Sequence, residues 1–173
     1  WKQTVIPHTT ELVEAADDGR SLRLRCRIEG GIEVTHDIRA GGDDVEFRVE
    51  AVNRGPEYVD AVWAQPCIRV GGFTGATQET YVPRCFIFVD GALHRLPTPE
   101  WATQARYTPG QVWCPRRVPR EDVNPRPLST LVPSNGLTGC FSGDEKLVLA
   151  TAWEPYQELF QGVIRCIHSD FRI

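Results

Sequence analysis

Residues 21 to 28, SLRLRCRI, set Leu22, Leu24, Cys26 and Ile28 against Arg23, Arg25 and Arg27 in strict alternation. Side chains on a strand point alternately to opposite faces, so this stretch predicts a half-buried β-strand and resists any helical reading. The same period continues. In IEVTHDIR the inward set is Ile32, Val34, His36 and Ile38, and in VEFRVEAVN it is Val45, Phe47, Val49 and Ala51. Gly30-Gly31 and AGGDD, residues 40 to 44, supply the turns between these runs.

Further along, residues 58 to 64 and 67 to 70 read as strands, with Pro66 as an edge or bulge residue between them. RCFIFVDGALHRL reads as a hairpin, because Asp90-Gly91 suits the positive φ angles of a two-residue turn. Its first strand is apolar on both faces, which places it centrally. EKLVLATAW and GVIRCIHSDFRI give two more strands, and EPYQELFQG between them suggests one or two helical turns ended by Gly162. No stretch repeats at a fixed period. The expectation is an all-β fold, an antiparallel β-sandwich or jelly roll, in one domain spanning residues 1 to 173. Its core is expected to join Leu24, Cys26, Val34, Phe47 and Val49 to Ile87, Leu149 and Ile167.

One segment breaks the pattern. Residues 104 to 129, QARYTPGQVWCPRRVPREDVNPRPLS, hold five prolines and five arginines, too many prolines for a helix or a central strand. Connections this long are uncommon unless functional or disordered. Tyr107, Val112, Trp113 and Val118 argue for a long ordered Pro/Arg-rich loop, since disordered segments are poor in such residues. Charge concentrates there too. Arg106, Arg116, Arg117, Arg120 and Arg126 outnumber Glu100, Glu121 and Asp122 over residues 97 to 136, on a chain whose net charge is −4. A basic loop on an acidic body fits an anionic ligand group; arginines tied to local carbonyls and carboxylates fit equally.

That overall charge, with no basic tail or face, argues against a nucleic-acid or anionic-membrane partner. No apolar stretch is long enough to span a bilayer. The chain opens at Trp1 and has no methionine, so its N-terminus is expected to lie upstream, and the sequence assigns no compartment. Six cysteines sit mostly in apolar, strand-like company and read first as buried thiols, with a disulfide or a metal site as alternatives. The cofactor is left unassigned.

Three constellations could carry chemistry. Trp101, Tyr107 and Trp113, with Arg106, Arg116, Arg117, Asn124 and Arg126, offer flat apolar faces and guanidinium forks suited to an acidic sugar; Arg106 and Arg126 lead for the charged contact. CIHSD puts Cys166, His168 and Asp170 on one side of a strand. With a second histidine from His36 or His94, His36 being preferred for the inward face of its strand, this would make two histidines and a carboxylate, a set that serves as a pocket or as a non-haem metal site. WEPYQELF spaces Glu154 and Glu158 four apart, on one side if the segment is helical, as paired carboxylates for glycoside cleavage. A lyase would instead draw on Tyr107 or His168 as base and on Arg126 and Asn124.

The run IEVTHDIRAGGDDVEFRVEAVNRGPEYVDAVWAQP resembles the early part of galactose-mutarotase-like β-sandwich domains, with Asn53 and Gly55 at an Asn-rich turn, and VIRCIHSDFRI is similar to the end of such domains. The resemblance implies a bacterial carbohydrate-active protein with a carbohydrate ligand. Where those domains carry a site histidine, this chain has Trp63 and Gln65 in VWAQPC. The expected function is binding of an anionic saccharide. The alternatives are an enzyme, a hydrolase, lyase or metal-dependent catalyst built on His36, His168 and Asp170, and an assembly domain docking through its loop, as in a homo-oligomer.

Overall fold

A computed structural model describes residues 7–59, 67–77, 80–96, 111–118, 129–162 and 166–170. The fold is all-β, and every strand pairing among the described residues is antiparallel. The chain divides into two compact units, Trp1–Asp60 and Ala61–Ile173.

The first unit is a meander of β1 (His8–Ala15), β2 (Ser21–Ile28), β3 (Ile32–Ala40) and β4 (Val45–Asn53), hydrogen-bonded in that order. Register follows the alternation. Leu24 lies opposite Leu12 and His36, and His36 opposite Val49, so one face is apolar. The other face carries ion pairs such as Arg23–Asp37 at 2.7 Å and Arg25–Glu11 at 3.2 Å. Strand β1 was not expected, because a register shift between Leu12 and Glu14 breaks its period of two at Val13. Between β2 and β3, Gly31 takes φ 91°, and a Cβ there would sit 2.8 Å from the backbone of Gly55. Only glycine allows that approach.

In the second unit two four-stranded sheets share one core. The first, ordered β10-β9-β6-β7, contains β6 (Cys85–Val89), β7 (Ala92–Arg95), β9 (Leu137–Phe141) and β10 (Val148–Ala152). The second, ordered β5-β12-β11-β8, contains β5 (Ile68–Arg69), β8 (Gln111–Trp113), β11 (Glu158–Gly162) and β12 (Cys166–Asp170). A four-residue helix, α1 (Gly71–Thr74), follows β5. The hairpin turn is as the sequence predicts, with φ 50° at Asp90 and 79° at Gly91. Strand β6 is central and β10 is an edge, where Val148 remains exposed.

Cys85 and Ile87 from one sheet meet Trp113, Leu159 and Ile167 from the other, with Val70, Tyr81 and Val82 alongside. Ile87 and Ile167 are fully buried as expected, and Leu149 packs against them. The first-unit members of the expected core are a correction. Phe47 is 52% exposed, and Leu24, Cys26, Val34 and Val49 are only half-buried, because among the described residues their unit has a single sheet and no second layer of its own. Strand β9 also escaped the sequence, since Thr138, Gly139 and Cys140 are small and weakly patterned. Gly139 is small for a reason: a Cβ there would meet the Phe86 ring and lie 2.8 Å from the Leu149 carbonyl.

Candidate functional site

The hairpin formed by β11 and β12 sets Glu158 opposite Asp170 and Phe160 opposite His168. Neighbours across an antiparallel ladder share a face, so these four positions lie on one face of the sheet, and Leu159 and Ile167 point from the other into the core. Phe160 is buried in a second, smaller cluster with Cys114 and Val118, which follow β8 in the arginine-rich segment. Glu158 is fully buried. A carboxylate in that setting requires hydrogen-bonded or charged company.

The segment after β8 is pinned by Arg117. Its Nη2 donates to the Tyr156 carbonyl at 2.9 Å, and the guanidinium lies 5.1 Å from the centre of the Tyr156 ring. Burial raises the Tyr156 hydroxyl above its ordinary pKa, while Arg117 pulls the other way. Arg116 differs. It is exposed, and its side chain makes no ion pair or hydrogen bond among the described residues. Arg69 on β5, at the register position opposite Cys166, is likewise exposed without an ion pair among the described residues.

The residues singled out in the sequence therefore separate. Trp113 is 2% exposed and belongs to the core, so it offers no open platform for a sugar. Arg117 serves its own segment. Trp101, Arg106, Tyr107, Asn124 and Arg126 lie outside the described residues. His168 and Asp170 share β12 as expected, whereas His36 belongs to the first unit, at mid-strand on the apolar face of β3. Glu154 and Glu158 are not one turn apart on a helix: residues 153 to 157 are irregular, Glu154 is exposed, and Glu158 opens β11. The helical expectation for EPYQELFQG fails because Leu159, Phe160 and Gln161 pair with both β12 and β8, and Glu158 with β12.

Glu158 gains weight accordingly. Its signal was present in the alternation of Glu158 and Phe160, hidden by the helix-like spacing of the two glutamates. Among the described residues no group of three or more His, Cys, Asp or Glu side chains could hold a metal ion. All six cysteines are free, four of them buried. Burial pushes the Cys140 thiol up to about 11. At the Asn-rich turn, the Asn53 amide donates to the Glu57 carbonyl at 2.8 Å and its oxygen accepts from the Gly55 N–H at 2.9 Å, so that side chain shapes its own turn.

No helix among the described residues is long and apolar enough to cross a membrane. No family model, curated protein or solved structure matches this chain.

Proposed function

We propose that this chain binds an anionic saccharide through its Ala61–Ile173 unit, with the arginine-rich segment after β8 as one wall of the site. The observation that carries the reading is Arg116, an exposed guanidinium without a counter-charge among the described residues, beside an arginine anchored to Tyr156. An anchored neighbour lowers the entropy lost when Arg116 closes on a ligand, and its planar fork suits a carboxylate or sulfate. The likeness to galactose-mutarotase-like domains adds a carbohydrate expectation. Calorimetric titration with matched neutral and uronic or sulfated oligosaccharides tests it. Binding of the charged series, weakened about ten- to a hundredfold by Arg116→Ala as loss of a charged hydrogen bond of roughly 1.5 to 3 kcal/mol would do, is the expected result. Equal affinity for both series, or none for either, rejects the proposal.

A second reading, catalysis on the same ligand class, is favoured by the buried Glu158 opposite Asp170, with His168 two positions along β12. A carboxylic acid and a histidine at register positions this close can divide the acid and base roles. Turnover of uronic oligosaccharides that is lost in His168→Ala while binding persists would support it, and absence of turnover in the native protein would remove it.

A further inference from the structure

We propose that the apolar face of the β1–β4 sheet pairs with the same face of a second copy of this chain. The ladder register assigns that face to alternate residues of all four strands, among them Leu12, Leu24, Val34, Ile38, Phe47 and Val49. Within the first unit no second layer covers it among the described residues. Leu12 is 60% exposed, and Val45 and Phe47 are each 52% exposed. A contiguous apolar patch of this kind on a soluble surface marks an interaction site.

Charge and area both favour a second copy as the occupant. None of the face positions is Asp, Glu, Lys or Arg, and the ionisable groups there are His8, Cys26 and His36. In a twofold pairing each patch meets itself, and a face without charge takes no charged group out of water when it does so. Pairing through the opposite face, with Arg23, Arg25, Glu11 and Asp37, would carry the desolvation cost of those charges. Four strands of eight or nine residues cover a footprint of about 500 Å² at ordinary strand spacing and rise. Two such faces remove about 1,000 Å² from water, which reaches the threshold for a specific interface. Sheets also stack face to face readily, at about 30° between strand directions.

Sedimentation of the chain over a concentration series tests the pairing. The expected mass is twice 19.4 kDa. Phe47→Glu, at a half-exposed position on edge strand β4, should return the mass to that of one chain with the far-ultraviolet dichroism unchanged. Glu50→Lys, on the charged face of the same strand, should leave the dimer intact. If Phe47→Glu does not fold, Val45→Glu, equally exposed and at the strand end, replaces it. A native chain that sediments as a monomer throughout, whatever else covers the face, overturns the proposal. So does a folded glutamate variant that remains a dimer, or a dimer broken by Glu50→Lys.

Discussion

Ile87→Ala is the most direct probe of where the stability of the second unit resides. Ile87 is fully buried on the central strand β6, opposite His94 on β7 and Thr138 on β9, in the cluster that joins the two sheets. The substitution removes three carbons, each worth about 0.8 kcal/mol on transfer from water, so the transfer contribution alone is about 2.4 kcal/mol. Relaxation around the void is limited. Neighbours come from both sheets, and the central strand is held on either side, so a cavity contribution adds to the loss. The expected total is about 3 to 4 kcal/mol. Urea unfolding followed by tryptophan fluorescence suits the measurement, because the buried Trp113 lies in the same cluster and changes its surroundings when the sheets separate. The midpoint should fall while the slope of stability against urea stays the same. A loss within about 0.5 kcal/mol, the range of surface substitutions, would refute the assignment of Ile87 to a closed core.

Two other outcomes are expected. A thiol reagent at mildly alkaline pH should modify the exposed Cys67 in the native protein and leave Cys85, Cys140 and Cys166 until unfolding, as labelled peptides will show by mass; early modification of Cys140 would contradict its dry setting. Arg95 donates two hydrogen bonds to Glu145, at 3.0 and 2.9 Å, and these hold the carboxyl below its usual pKa. A depressed carboxylate contributes stability above its unfolded pKa and loses it as the pH falls through the folded value. The melting-temperature difference between the native protein and Arg95→Gln should therefore shrink on acidification, and also with added salt, because the pair is solvent-exposed. A difference that grows with acid would be the wrong sign.

Much of the sheet structure was legible because alternation is a local property. β2, β3 and β4 show an uninterrupted period of two, and the Asp90-Gly91 turn announces its own geometry. Strand β1 was obscured by one inserted residue, and β9 by a glycine required by the Phe86 ring. The site was less legible, for a different reason. Which face of the β11–β12 hairpin meets the core depends on what the other sheet supplies, and Glu154 and Glu158 look equivalent until pairing buries only the second. Trp113 misled in the same way. In a segment rich in proline and arginine it resembles a recognition residue, yet three residues of β8 are enough to carry it into the core as an edge-strand side chain.

The ion pairs on the first unit's sheet contribute little individually, being exposed. Their order along the strands acts instead as a code for alignment. In the observed ladder Asp37 stands opposite Arg48, and Arg39 opposite Glu46. Sliding β4 by two residues in one direction would preserve both faces but set Asp37 against Glu50 and Arg39 against Arg48; sliding it the other way would set Asp37 against Glu46 and Glu33 against Glu50. A slip of one residue would turn the apolar set outward altogether. Like charges directly across a ladder repel, so the misaligned sheets are penalised even where the aligned one gains little. The surface that looks least involved in holding the unit together is the one that selects which of its possible alignments survives.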